Sequence, residues 1–294
     1  MNLEQLLGRK ILLLDGALGT LLLSRGAKGA LELLNVEQAD MVAAAHEEYL
    51  QAGADIITTN TVCADALCLA QYGLQERSYE LARAGAELAR RVADKYSTTE
   101  RPRLVAGSVG PTTRNLTLAN DTTAEQMAAV YADVIRGLVD GGVDLILVES
   151  VMDAANAKVA IEECRKINKD IPIILSAVLS RIAGRVASGA TIEKFLEDLP
   201  LDEISVVGFN CTNGVKPMAD AVKMLSEKSP KPIVAYPAAG QPIVAANHFA
   251  KEMEKMCRAG ELNIIGGCCG TTPEYIAQLA KVAERWRPRK IVKK

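Results

Sequence analysis

The chain has 294 residues, 49% of them hydrophobic and 24% charged, with a formal net charge of −2. That length sustains a large buried core, the balanced charge leaves no electrostatic footprint for nucleic acid or a membrane surface, and no apolar run nears the roughly 20 residues of a bilayer span. The start, Met1-Asn2-Leu3-Glu4-Gln5, lacks the basic and long apolar regions of a signal peptide, so a cytoplasmic location is expected.

Apolar, β-branched runs alternate with helical patterns along the chain. The run at 11–15 ends in Asp15-Gly16. A helical pattern at 38–52 leads into the run at 54–59, which finishes Thr58-Thr59-Asn60-Thr61. Another at 76–95 precedes the run at 103–108, with Gly107-Ser108 and then Gly110-Pro111-Thr112 at its end. The stretch 124–141 carries Val130, Val134, Ile135 and Leu138 at the spacing of a helix packed on one side. The run at 143–149 follows and closes on Glu149-Ser150. Helix 154–168 comes before the run at 171–178, which holds Ser176, and helix 191–199 before the run at 204–210, which ends Asn210-Cys211. Helix 217–229 precedes the run at 232–236, ending Tyr236-Pro237. Helix 248–259 precedes the run at 263–267, which continues Gly266-Gly267-Cys268-Cys269, and a helix at 273–286 closes the series.

Eight alternations of strand and helix predict an α/β protein with parallel strands and crossover helices. In this length they fit a single (β/α)8 TIM barrel over residues 1–294 better than a doubly wound open sheet. Continuous apolar strands such as Leu145-Ile146-Leu147-Val148 suit a sheet covered on both faces. No linker or second domain is evident, and the basic tail at 285–294 reads as a solvated helix end or the stub of a connection. His46 and His248 fall in helices and are expected at the surface or as caps. Cys63, Cys68, Cys164 and Cys257 read as small buried hydrophobes in a reducing compartment.

All eight strands finish in small, polar or thiol residues, at the end where a barrel builds its active site. Singly, each has a plainer explanation: Asp15-Gly16 also suits a turn, Gly107 to Thr112 suits an ordinary loop, and Glu149 suits a structural ion pair. The cysteines are harder to dismiss. Cys268 and Cys269 at one strand end and Cys211 at another can place three sulfurs around one metal. Three protein ligands on a tetrahedral zinc leave one corner open, which marks a catalytic site and suits a thiol substrate. No P-loop, dinucleotide fingerprint, strand-end lysine or Gly-x-Ser-x-Gly elbow occurs.

Together the segments Leu14-Asp15-Gly16-Ala17-Leu18-Gly19-Thr20, Ala52 to Thr61, Val207-Gly208-Phe209-Asn210-Cys211 and Gly266 to Pro273 resemble the homocysteine S-methyltransferase family, from about residue 8 to residue 284. The segments Val105 to Thr112, Gly184 to Gly189 and Pro237 to Pro242 are most similar to the N-terminal homocysteine-binding module of cobalamin-dependent methionine synthase. Enzymes of the family that use S-methylmethionine typically carry an arginine after the paired cysteines; Gly270 stands there. Val62, Ser150 and Ala238 depart from a usual phenylalanine, threonine and asparagine.

The resemblance implies one zinc per chain held by Cys211, Cys268 and Cys269, and a homocysteine thiolate activated on that zinc. It implies the amino group near Glu149 and Asp15, with the carboxylate met by backbone around Gly16, Ala17 and Ser108. Asn60 is expected among the substrate contacts. The implied methyl donor is methylcobalamin on a separate module or corrinoid protein, because the chain has no Asp-x-His-x-x-Gly cobalamin signature. A standalone enzyme with a small donor such as S-methylmethionine or betaine is the alternative, and a non-catalytic zinc- or thiol-binding barrel is an alternative of another class. A sugar-phosphate enzyme would leave the three thiols without a role.

Overall fold

Eight parallel strands run in chain order: β1 (Leu12–Leu13), β2 (Ile56–Thr58), β3 (Leu104–Val109), β4 (Leu145–Val151), β5 (Ile173–Val178), β6 (Val206–Cys211), β7 (Ile233–Pro237) and β8 (Ile264–Ile265). The computed structural model describes residues 3–119 and 121–291. From β2 to β8 each strand pairs in parallel with the next, and β8 pairs with β1. Between β1 and β2 a parallel bridge, Leu14 to Ile56, and the bonds Asp15 N to Ile56 O (3.0 Å) and Asp55 N to Leu13 O (2.7 Å) close the ring. The expected α/β barrel is therefore what the chain forms.

Helices Ala39–Gln51, Ser78–Tyr96, Ala124–Asp140, Ala154–Ile167, Ile192–Asp198, Val215–Lys228, Ala246–Arg258 and Pro273–Arg285 cover the strands. Ala124–Asp140 starts at a capping box, in which Thr123 and Gln126 satisfy each other's backbone N–H groups. The turns Leu3–Leu7 and Leu18–Ser24 escape a reading by periodicity because they are too short to show a stripe.

Strand alternation splits the apolar interior into two cores. Leu12, Leu14, Ile56, Leu104, Ala106, Leu145, Leu147, Ile174, Val206, Val234, Tyr236 and Ile264 fill the barrel, and Leu3, Leu6 and Leu7 plug its N-terminal mouth. Their neighbours, such as Ile146, Val148, Val207 and Phe209, face the helices in a second, larger cluster. Gly208 is required where β6 and β7 converge, since a Cβ there would lie 1.8 Å from Val234 O.

Three details differ from the sequence reading. His46 is wholly buried with both ring nitrogens unpartnered, neither surface nor cap. It lies on the packed stripe Val42, Ala45, His46, Tyr49, Leu50, and burial pushes its pKa down to about 4, keeping it neutral. Cys63 is exposed, whereas Cys68, Cys164 and Cys257 are buried. The tail does more than end a helix: Arg289 turns back and donates to Ser226 O and Ser229 O, both at 2.8 Å, and to Lys231 O at 3.1 Å. Residues 292–294 lie outside the described ones. No helix of the described residues is long and apolar enough to cross a membrane.

Candidate metal centre and substrate pocket

The alternation that builds the apolar barrel layers continues to the C-terminal mouth, where the inward positions become polar. Above Ala106 comes Ser108, above Leu147 comes Glu149, above Ile174 comes Ser176, above Val206 and Gly208 comes Asn210, and above Val234 comes Tyr236. Beyond β8, Cys268 packs against this inner cluster. One layer therefore gathers a carboxylate, two hydroxyls, a phenol, an amide and a thiol.

Two residues leave the alternation, and both are non-glycine residues in the left-handed region. Cys211 has φ +63° and Ser150 has φ +56°. Such backbone costs on the order of 1–3 kcal/mol and persists where surrounding bonds over-determine it. In register, Cys211 would follow Val207 and Phe209 toward the helices. Its reversed φ instead brings its Sγ to 3.6 Å from Cys269 Sγ, and Cys269 Sγ lies 4.0 Å from Cys268 Sγ. All three sulfurs fall within 4.8 Å of one another.

These separations fit a metal. Tetrahedral Zn–S bonds of about 2.3 Å set sulfurs about 3.8 Å apart, close to the 3.6 and 4.0 Å observed. Hydrogen bonds with Cys211 and Cys269, and then burial, hold the Cys268 thiol well above the ordinary range. Hydrogen bonds from Cys211 and Cys268 pull the Cys269 thiol down to about 3. Three thiols this close share one charge unless a cation joins them. The turn is held by Thr271, whose hydroxyl donates to Cys268 O (2.8 Å) and accepts from Ala17 N (3.2 Å). Gly267 must be glycine here, as a Cβ would sit 2.4 Å from Thr271 Oγ1.

Beside the sulfurs stand two carboxyls with no cationic partner among the described residues. Glu149 accepts from Ser108 Oγ at 2.6 Å and from Tyr236 OH at 3.5 Å. Asp15 accepts from Thr58 N at 2.7 Å and from Thr58 Oγ1 at 3.1 Å. Burial pushes the Glu149 carboxyl above its ordinary value, against the pull of the Ser108 and Tyr236 hydroxyls. Burial likewise pushes Asp15 well up, opposed by Thr58 and reinforced by the charge on Glu149. Neither shift has a cationic side chain behind it, so the pocket has room electrostatically for a positive ligand.

The remaining residues singled out in the sequence divide. Gly16 N–H has no partner among the described residues and precedes the uncapped start of helix Leu18–Ser24. Ala17 N is already engaged by Thr271, and Ser108 N donates to Thr59 Oγ1 at 2.9 Å. Asn60 is not brought to the pocket: its amide donates to Leu31 O (2.7 Å) and Asn35 Oδ1 (3.0 Å), bracing the loops behind β2. Thr58, Ser176, Tyr236 and Asn210 were visible as strand ends without a role. Their inward parity was the signal that could have given them one.

The family described as homocysteine S-methyltransferase matches the chain over residues 12–283. Among solved structures, the chain is similar to the homocysteine methyltransferase MmuM from Escherichia coli in its metallated form. The two are 28% identical over 95% of this chain and 98% of that one, with a TM-score of 0.81. The oxidised form of the same enzyme matches at 27% identity over 92% and 95% of the two chains, with a TM-score of 0.80. The carboxyl transferase domain of Rhizobium etli pyruvate carboxylase shares the fold alone, at 12% identity over 95% of this chain and 48% of that one, with a TM-score of 0.53.

Proposed function

The chain belongs to the homocysteine S-methyltransferase family, and from that premise we propose that it methylates the sulfur of homocysteine to give methionine, acting as one barrel domain with one zinc held by Cys211, Cys268 and Cys269. The observation that carries the reading is the convergence of three sulfurs within 4.8 Å at the mouth that also holds Glu149 and Asp15. When bound, zinc supplies a Lewis acid that lowers the pKa of a thiol, keeping its sulfur nucleophilic near neutral pH.

The protein's own groups position the substrate. Glu149, oriented by Ser108 and Tyr236, and Asp15, oriented by Thr58, receive the ammonium group. That ligand charge lowers the cost of keeping both carboxylates ionised in a buried place. Gly16 N–H and the first free amides of helix Leu18–Ser24 suit the substrate carboxylate, as a helix start favours an anion. Holding both ends of the amino acid fixes where its sulfur lies, which contributes as orientation rather than proton transfer. In the overall reaction the thiol loses its proton, an S–CH3 bond forms and the donor's bond to CH3 breaks.

For the donor, two observations support a methylated corrinoid on another module or protein over a small sulfonium or betaine. Gly270 has φ +81°, and a Cβ there would meet Ala239 Cβ at 3.2 Å, so the position given to arginine in S-methylmethionine users is shaped for glycine. In addition, Val62, Leu118, Met152, Ile182 and Ile243 are exposed apolar side chains, each in a segment that follows a strand at this mouth. Such a rim suits a large partner.

The test is elemental analysis together with a donor panel of methylcobalamin, S-methylmethionine and betaine. One zinc per chain and methionine formed from methylcobalamin are expected. Turnover with S-methylmethionine or betaine alone would establish the small-donor reading, and zinc without any methyl transfer would establish a binding protein.

A further inference from the structure

Strand β4 contains a bulge that no motif announces. Val148 pairs with Leu175 and Val151 with Ala177, so three steps on β4 oppose two on β5. A bulge frees backbone groups from the ladder and re-aims side chains. Here it keeps Glu149 in the inward phase of Leu145 and Leu147, while Val151 moves into the outer core. The cost is a left-handed Ser150 and a backbone N–H without a strand partner. A backbone N–H left buried and unpaired would forfeit its hydration with nothing in exchange.

Asn210 fills that gap. Its Oδ1 accepts from Ser150 N at 3.0 Å and from Ser176 Oγ at 2.7 Å, and its Nδ2 donates to Ser150 Oγ at 2.8 Å. The same Nδ2 lies 4.0 Å from Cys268 Sγ. Every lone pair and N–H of the amide is thus directed, which fixes its orientation. Asn210 is completely buried. It is followed by Cys211, and the residue it clamps, Ser150, is preceded by Glu149. One rigid amide therefore ties the carboxylate strand to both strands that carry sulfur.

We infer that Asn210 is a positioning residue that holds the ammonium subsite at Glu149 in register with the sulfur subsite at the cysteines, and so selects thiols that carry an α-amino group. This rests on the reading that Glu149 receives the amino group and the cysteine cluster the thiol. Asn210 touches neither end of the substrate; it acts through Ser150 and Cys268.

The experiment measures zinc content and equilibrium dissociation constants for homocysteine and for 4-sulfanylbutanoate, which is homocysteine without its amino group. Wild type, Glu149→Gln, Asn210→Ala and Ser176→Ala are compared, all as zinc proteins. Wild type prefers homocysteine, and Glu149→Gln loses that preference. Asn210→Ala retains zinc and the affinity for 4-sulfanylbutanoate, while its preference for homocysteine falls about tenfold. Ser176→Ala, which loosens the amide and also removes a contact with Tyr236, lowers the preference by about threefold and decides alone if Asn210→Ala does not fold. A folded, zinc-loaded variant at either position with wild-type preference would overturn the inference. A wild type with no preference would overturn instead the assignment of Glu149 to the amino group.

Discussion

Two aspartates sit at opposite ends of the same pair of strands. Asp55 enters β2 at the N-terminal mouth and is 4% exposed; Asp15 leaves β1 at the other mouth and is 1% exposed. Burial therefore does not distinguish them, but their partners do. Asp55 accepts from Lys10 Nζ at 2.7 Å, Arg101 Nε at 3.4 Å and Leu13 N at 3.1 Å, with Arg103 NH1 3.8 Å away. Asp15 has Thr58 and its own backbone N–H but no cationic partner among the described residues, and the charge that acts on it is a second carboxylate, Glu149. The closed end of the barrel carries its own counter-charges. The open end carries no such counter-charge among the described residues, so, on the proposed function, the ammonium group of the substrate would supply it.

The largest expected effect comes from removing a sulfur at the unfinished end. Cys268→Ala should leave less than one zinc per chain by elemental analysis. Methyl transfer should fall by on the order of 10³-fold, about 4 kcal/mol of transition-state stabilisation. Retained zinc with undiminished transfer would remove the metal assignment altogether.

The aspartates themselves should respond with opposite signs. Asp55→Asn strands several cations around a neutral amide and should destabilise the fold by about 2 kcal/mol at neutral pH. That is less than the roughly 3–5 kcal/mol of a fully buried pair, because Lys10 and Arg101 are 41% and 43% exposed. Asp15→Asn should stabilise the ligand-free protein by about 1 kcal/mol while weakening homocysteine binding by about tenfold. Urea midpoints at constant m-value read the first quantity and calorimetric titration the second. Two losses of stability would mean that Asp15 is a structural residue like Asp55.

Much of this contrast was legible in the chain, though not all. Strand ends and the paired cysteines follow from local pattern, so the barrel and the gathering of Cys211, Cys268 and Cys269 at one of its mouths could be read directly. Asp15 and Asp55 look alike in sequence because the cations that separate them lie 45 and 46 residues from Asp55. Cys211 and Ser150 gave no sign of their left-handed backbone, since neither is a residue that favours it. The β4 bulge was hidden too: Leu-Ile-Leu-Val-Glu-Ser-Val is a continuous apolar run with a polar end, which sets no phase of its own, and only pairing with β5 exposes the extra residue. Asn60 misled in the other direction. A polar residue at a strand end reads as a ligand contact, whereas its amide is spent on Asn35 and Leu31.

The smallest effect is a pH slope. Unfolded, Asp15 has a pKa of about 3.9; folded, burial raises it. The folded state then binds the proton more tightly than the unfolded chain. The contribution of Asp15 to stability is fully present below about pH 3.9 and is lost as pH rises through the raised folded value. Glu149, raised by the same cause, adds in the same direction. Homocysteine binding should do the reverse, because its ammonium competes with the proton and gains as the two carboxyls ionise. Subtracting the urea midpoints of Asp15→Asn from those of wild type across the weakly acidic range isolates this one group. The difference should move against the wild type with rising pH, and saturating homocysteine should flatten it. A flat difference without ligand would mean that Asp15, like Asp55, already has a positive partner within the protein, and the open mouth would then be no less finished than the closed one.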